Sequence, residues 1–280
     1  MESGKVLNMT PEEKEKKLEA LLREMERVIV AYSGGVDSTY LAYKANQVLG
    51  SRSLAVTAES ASVPSHQREM ALKVAGQFGF PHEVIRTEEL DKAEDRANPI
   101  DRCYFCKDEL FDKLAILAKE RGFAVVLDGL NTDDLGDYRP GRKAAQEHQV
   151  RSPLMEAGLS KHDIRELSRR AGLPTADQPA SACLSSRFPY GVQITAEKLK
   201  RVDLGEEALR EMGFRIFRVR HHEETVRLEF GPEDLAKALN VDVASRLTRV
   251  FKGLGYKYVT LDLEGYRTGS LNEVILTHIR

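Results

Sequence analysis

Arg27-Val-Ile-Val-Ala-Tyr-Ser-Gly-Gly-Val-Asp-Ser-Thr39 is the stretch that decides how this chain folds. Val28 to Ala31 is short, apolar and β-branched, which is the composition of a buried strand. Ser33-Gly34-Gly35-Val36-Asp37-Ser38 follows, and from Thr39 the pattern turns helical. Strand, glycine loop and helix in that order put free backbone N–H groups at a helix N-terminus. Those groups and the helix dipole favour an anion, typically phosphate. Gly34 and Gly35 permit a sharp turn and a close approach of backbone to ligand, and Ser33 and Ser38 add hydroxyl donors. No Gly-Lys-Ser/Thr closes the loop and no Gly-x-Gly-x-x-Gly is present, so neither the Walker loop nor the dinucleotide fingerprint applies.

The hexapeptide at 33 to 38 resembles the pyrophosphate loop of the ATP pyrophosphatase superfamily. The resemblance implies cleavage of ATP between its α and β phosphates, adenylation of a carbonyl oxygen and release of pyrophosphate. The plain alternative is a glycine-rich turn of some other α/β protein.

Outward from the loop, apolar runs and helical stripes alternate. Thr10-Pro11-Glu12-Glu13 is a capping box that opens a helix carrying Leu18, Leu21, Leu22 and Met25 on one face. Leu54 to Ala58 predicts a second strand, Ser65 to Phe80 a helix, and His82 to Arg86 a third strand. Leu110 to Gly122 predicts a helix and Ala124 to Asp128 a fourth strand. This alternation implies an α/β fold, a parallel twisted sheet with helices on both faces. Ligands of such sheets sit beyond the carboxyl ends of the strands. The loop at 33 to 38 and Asp128-Gly129-Leu130-Asn131-Thr132-Asp133-Asp134 both fall there. The second loop offers carboxylates such as Asp134 for a magnesium ion on the phosphates, or is an ordinary polar turn. Ser160 and Asp163 cap a further helix.

Thr195 caps a helix with which the pattern changes to α-β-β-α-β, the strands lying at 215 to 220, 225 to 230 and 256 to 263. That order predicts a small α+β domain with antiparallel pairs. The expected division is 1–190 and 191–280, the second domain contributing to acceptor binding and oligomerisation.

The 280 residues are 41% hydrophobic and 31% charged, with a net charge of −2. This suits a globular protein and gives no overall attraction to nucleic acid. No apolar run reaches membrane-spanning length and no secretory h-region opens the chain, so the expected compartment is the cytoplasm. Three cysteines do not suggest a disulfide framework.

Further segments narrow the family: Leu127-Asp-Gly129, Asp137-Tyr-Arg-Pro-Gly141, Ser185-Ser-Arg-Phe-Pro-Tyr-Gly191, Arg218-Val-Arg220 and Tyr258-Val-Thr-Leu-Asp-Leu263. With the pyrophosphate loop they resemble the LarE-type ATP-dependent sulfur transferases over almost the whole chain. These make the organic part of the nickel-pincer nucleotide, the cofactor of lactate racemase. The resemblance implies an adenine nucleotide alpha hydrolase-like fold, ATP with Mg2+, and pyridinium-3,5-biscarboxylic acid mononucleotide as acceptor. It also implies a homo-oligomer (a hexamer) and a downstream nickel-insertion protein as partner, with no nucleic acid or membrane involved.

On that reading Ser33, Gly34, Gly35, Asp37 and Ser38 hold the diphosphate, Asp37 acting in catalysis. Thr57 and Ala58 frame adenine, and Gly129 and Asp134 lie across the loop. Ser186, Arg187, Arg218 and Arg220 face the anionic acceptor, and Glu206 resembles a family position near substrate or metal. For the arginines and Glu206 the plain alternative is a solvated face. His221 and His222 point to opposite faces of a strand, a poor metal site, and are expected at the surface or against a partner. Cys103, Cys106 and Cys183 are the expected catalytic thiols. In the three-cysteine branch of the family they imply a [4Fe–4S] cluster with one iron open to sulfide; the alternative is sacrifice of Cys183 sulfur. Rival functions are a tRNA thiolase of the same superfamily and a nucleotide-binding sensor without turnover.

Overall fold

A computed structural model describes residues 9–92, 96–136, 140–179, 181–267 and 269–270. The segment 137–139, part of the Asp-Tyr-Arg-Pro-Gly match, lies outside the described residues. The chain divides into two compact units.

The first unit comprises Met1–Ser60, Ser65–Glu89 and Asp101–Ser181. Helix α1 (Pro11–Met25) starts at the expected capping box, with Thr10 and Glu13 bonded reciprocally. Four strands follow: β1 (Val28–Ala31), β2 (Ser53–Glu59), β3 (His82–Arg86) and β4 (Val125–Leu127). They form a parallel sheet in the order β3-β2-β1-β4. Between them lie α2 (Val36–Leu49), α3 (Ser65–Phe78) and α4 (Arg102–Arg121). Val28, Val30, Ala55 and Leu127 pack into one core with Leu18, Leu22, Tyr40 and Leu41. Ile29, Ala31, Leu54, Val56 and Val126 face the other way, onto Phe111, Leu114 and Ala118. The two-residue period of a strand thus supplies both faces of the sheet. Helices α5 (Gly141–Glu147), α6 (Pro153–Glu156) and α7 (Lys161–Arg170) complete the unit.

Helix α4 begins at Arg102, eight residues before the apolar stripe that predicted it, so Cys103 and Cys106 lie within a helix and not ahead of one.

The second unit gathers Ala61–Pro64, Leu90–Ile100 and the chain from Ala182 onward. Leu184 N–H donates to Ser62 O, and the N–H groups of Gly191 and Ile194 donate to Asn98 O and Arg96 O. A 3-10 turn, Leu184–Arg187, leads to α8 (Ala196–Glu211), capped by Thr195. Then come β5 (Phe217–His222), β6 (Thr225–Phe230), α9 (Pro232–Ala238), α10 (Val241–Gly253) and β7 (Tyr258–Leu261). β5 and β6 are antiparallel, but β6 and β7 are parallel, which corrects the expected antiparallel pairing. The cause is the helical connection: a chain that leaves β6 through α9 and α10 crosses over and returns in the same direction. Among the described residues no helix is long and apolar enough to cross a membrane.

Candidate active site

β2 and β3 lie to one side of β1 and β4 to the other, so the strand order reverses at the β1/β4 boundary. In open parallel sheets that reversal opens the ligand crevice. The loop after β1 stands there. Gly34 has φ +74°, and a Cβ on it would lie 2.9 Å from Gln67 O and 3.0 Å from Ala71 Cβ. Only glycine meets both demands. Ser38 Oγ accepts from Ser33 N–H at 3.1 Å and lies 3.0 Å from Ser33 Oγ, which closes the loop on itself. Gly35 is the N-cap of α2, and among the described residues no side chain caps that helix. By contrast α1 and α7 both carry complete capping boxes. The first-turn N–H groups of α2 are therefore available to an anion. Gly129, after β4, packs on the same turn: a Cβ there would sit 3.0 Å from Ser38 N.

The acidic loop after β4 is mostly occupied with its own structure. Asp128 Oδ1 accepts from Ser152 Oγ at 2.7 Å and Leu130 N–H at 3.2 Å. Burial pushes its carboxyl above the ordinary range, only partly offset by Ser152. Asp134 Oδ2 accepts from Asn131 N–H, and Asp133 Oδ2 from Lys161 N–H, both at 3.0 Å. Asp37 differs. Its Oδ2 takes the Lys161 ammonium, and its Oδ1 is buried with no protein partner. An unpartnered carboxylate oxygen in the first turn of a phosphate-binding helix suits a hard cation, so the donor set fits Mg2+ at Asp37.

Lys161 is a site residue the sequence reading passed over. It is the first residue of α7, where a cation opposes the helix dipole. That unfavourable position was the available signal, because an ammonium there needs an anionic partner. Thr57, 2% exposed, donates to Tyr32 O and meets His82 Nε2, both at 2.8 Å. Its side chain thus frames the strand ends, while Ala58 beyond it is half-buried.

In the second unit the expected acceptor residues form a charged network. Arg187 and Glu206 are each 1% exposed. Arg187 Nε and Nη2 fork onto the two Glu206 oxygens at 2.8 and 2.9 Å. Its Nη1 donates to Ala182 O, Cys183 O and Ser186 Oγ. Burial alone would raise the Glu206 carboxyl, but the Arg187 guanidinium outweighs it and holds the group below the ordinary range. Arg220 forks onto Glu229 at 2.9 and 2.8 Å and donates to Ser186 O. The solvated-face alternative therefore fails for Arg187, Glu206 and Arg220. Arg218 is half-buried, stacked 4.6 Å over the Tyr266 ring, with Nη1 on Phe217 O. Burial and then the neighbouring Arg187 charge push its guanidinium below its usual range. Arg210 also approaches Glu206, at 3.9 Å. Arg187 and Arg210 thus both bear on Glu206, in a cluster that also sets Asp203 and Glu207 near Arg210.

His221 departs from expectation. It is fully buried, bonded to Tyr256 Oη at 2.9 Å and packed on Phe188, so it is a core residue; His222 is exposed. All three cysteines are free thiols. Cys103 and Cys106 belong to the first unit and Cys183 to the second. Among the described residues no group of three or more His, Cys, Asp or Glu side chains is placed to hold a metal ion, and Cys103 and Cys106 lie one turn apart on α4.

Known proteins resemble this chain in sequence. The NAD synthase family matches residues 13–124, the segment that carries the loop. An uncharacterised protein of Synechocystis is 47% identical over 264 residues, covering 93% of this chain and 98% of the relative. A pyridinium-3,5-bisthiocarboxylic acid mononucleotide synthase of Lactiplantibacillus plantarum is 36% identical over 259 residues, 92% of this chain and 93% of the relative. An uncharacterised protein of Methanocaldococcus jannaschii is 30% identical over 243 residues, 87% and 92% of the two chains. Likeness to the named synthase along nearly its full length, joined to an intact pyrophosphate loop at the switch of a parallel sheet, shows that the chain belongs to the LarE-type family of ATP-dependent pyrophosphate-loop enzymes.

Proposed function

We propose that this enzyme adenylates a carboxylate of pyridinium-3,5-biscarboxylic acid mononucleotide and replaces a carboxylate oxygen with sulfur. The observation that carries the reading is the loop at 33 to 38, with its uncapped helix start and the unpartnered Asp37 Oδ1. The loop and α2 hold the β and γ phosphates, Asp37 would hold Mg2+, and Lys161 adds a charge that can pass from Asp37 to the leaving diphosphate. Bound Mg2+ would neutralise charge on that diphosphate. A substrate carboxylate oxygen attacks the α-phosphorus, the bond to the β-phosphate oxygen breaks, and pyrophosphate leaves. The arginine side chains gathered near Glu206 suit a phosphate- and carboxylate-bearing acceptor, and Arg218 is assigned to meet it.

Sulfur then attacks the acyl carbon and AMP leaves. Cys183 serves as the thiol: it forms a thioester, and loss of its α-proton expels the thiocarboxylate and leaves dehydroalanine. Its carbonyl and the Ser186 hydroxyl are tied to Arg187, which fixes the turn that carries the thiol. A [4Fe–4S] cluster on Cys103, Cys106 and Cys183 is the second reading, favoured by the placement of two thiols one turn apart on α4. Cytoplasmic location, a homo-oligomer and delivery to a nickel-insertion protein accompany the assignment.

The test is pyrophosphate release from ATP with the dicarboxylate nucleotide, with bulk tRNA, or with neither. Release with the nucleotide alone is expected. Release only with tRNA would point to a thiolase, and ATP binding without release to a sensor. Anaerobic purification with iron and sulfide analysis, and the mass of the Cys183 peptide after one turnover, separate the two sulfur sources.

A further inference from the structure

Gln67, in the first turn of α3, is not among the expected site residues. Its Nε2 donates to the Ser33 carbonyl oxygen at 2.7 Å. Its Oε1 accepts from Ser181 Oγ at 3.0 Å. Its own backbone carbonyl is one of the two surfaces against which Gly34 must lack a Cβ. Gln67 therefore meets the loop twice, through side chain and through main chain.

The orientation of one peptide follows. The Ser33–Gly34 peptide is trans, so its C=O and N–H point in opposite directions. A donor fastened to Ser33 O turns the Gly34 N–H away from α3. Among the described residues that N–H has no protein acceptor. The Ser33 carbonyl, which can only accept, fixes which end of the Gln67 amide faces the loop, and Ser181 Oγ donates to the other end. If the amide were reversed, two oxygens, neither able to donate, would meet at Ser33. A glutamine that only linked two loops would have no reason to leave a backbone donor open behind it.

We propose that Gln67 is a positioning residue of the pyrophosphate loop, holding the Ser33–Gly34 peptide so that the Gly34 N–H is presented to the diphosphate. Ser181 Oγ, donating to the amide oxygen, holds the other end of the side chain in place. The inference rests on the loop being the diphosphate site.

The test uses the full-length protein with Gln67→Met, Gln67→Glu and Ser181→Ala. Binding of magnesium pyrophosphate and of AMP is measured by calorimetry, and pyrophosphate release is followed with ATP and acceptor. Gln67→Met removes both bonds at similar length. It should weaken pyrophosphate binding about tenfold and lower kcat roughly 10- to 100-fold, with AMP affinity and KM for ATP changed less than about threefold. Gln67→Glu sets a carboxylate against Ser33 O and should be worse; Ser181→Ala should shift the same way by less. Thermal melts establish that each variant is folded. Equal losses of AMP and pyrophosphate binding, or wild-type pyrophosphate affinity in Gln67→Met, would overturn the inference. Failure of the wild-type protein to release pyrophosphate would instead count against the proposed reaction, because pyrophosphate binding reads the role of Gln67 independently of any acceptor.

Discussion

Gly129→Ala adds one methyl group where two backbones meet. Gly129 is absent from the positive-φ glycines, so conformation does not demand glycine there; space does. The new Cβ would lie 3.0 Å from Ser38 N, 3.3 Å from Ser38 Cα and 3.4 Å from Asp37 C. All three atoms are main chain in the first turn of α2, so no rotamer change relieves the contact. Either the turn after β4 or the start of α2 must move by a few tenths of an ångström. Overpacking of this kind costs about 1–3 kcal/mol. In a chain of this size that lowers the thermal midpoint by roughly 2–12 °C. The same displacement misaims the Ser38 N–H, and partial loss of one such donor should slow pyrophosphate release about 10- to 100-fold. Gly76→Ala is the control: it lies in α3 with nothing within 4 Å of the added carbon. It should be stabilising by about 0.5–1 kcal/mol and leave catalysis unchanged. Pyrophosphate release and thermal melts read both variants. If Gly129→Ala melted and turned over like wild type, α2 and the turn after β4 would not be in the close contact described.

Asp37→Ala and Ser38→Ala should each abolish pyrophosphate release while moving the thermal midpoint little, since a partly exposed pair such as Asp37–Lys161 contributes only ~0–1 kcal/mol. Wild-type release by the folded double variant would remove the loop from the reaction. Arg218→Ala should weaken the acceptor nucleotide by about 1.5–3 kcal/mol without affecting ATP, as titration calorimetry would show. Arg220→Ala should behave differently, because it strips a buried Glu229 of its fork and leaves it, among the described residues, with Arg227, 3.1 Å away. Its expected signature is a fall of about 3–5 kcal/mol in stability, and unchanged denaturant midpoints would contradict it. Burial holds the His221 imidazole down to about 4, against about 6.5 in an unfolded chain. The unfolded state thus takes the proton first, so stability is present at neutral pH and lost as pH falls from about 6.5 to about 4. His221→Gln should flatten that part of the melting curve against pH; parallel curves would assign the slope to another group.

The strand, loop and helix at 28 to 49 were legible because every feature that fixes them is local. The same holds for the capping boxes at Thr10 and Ser160. Partners distant in sequence were not legible. Lys161 reaches Asp37 across 124 positions, and nothing local distinguishes it from any other lysine that opens a helix except its unfavourable place on the dipole. The arginines were found as anion-binding residue types, but Arg187 and Arg220 proved to be bidentate partners of Glu206 and Glu229, which only the folded register of α8, β5 and β6 reveals. His221 and His222 were correctly set on opposite strand faces. Which face was buried depended on Tyr256 and Phe188, one 35 residues away in the chain. The early start of α4 was missed because Arg102 to Glu109 carries little apolar periodicity, and helices can be extended by tertiary contacts that propensity does not register.

The second unit draws on Ala61–Pro64 and Leu90–Ile100 as well as the chain from Ala182. During synthesis at ~5–20 residues per second, the 90–100 segment must wait roughly 4–18 s for its partners at 182 and beyond to be made. Through that interval the buried Asn98 lacks the carbonyl of Pro189, to which it donates at 2.7 Å in the finished protein. A nascent chain halted before residue 182 therefore carries two short segments of the second unit without the rest of that unit. A fragment that begins at 191 likewise lacks both segments and the turn bonded to Ser62. Birth order on the ribosome, more than any boundary drawn on the sequence, makes the carboxyl-terminal unit the last part to close.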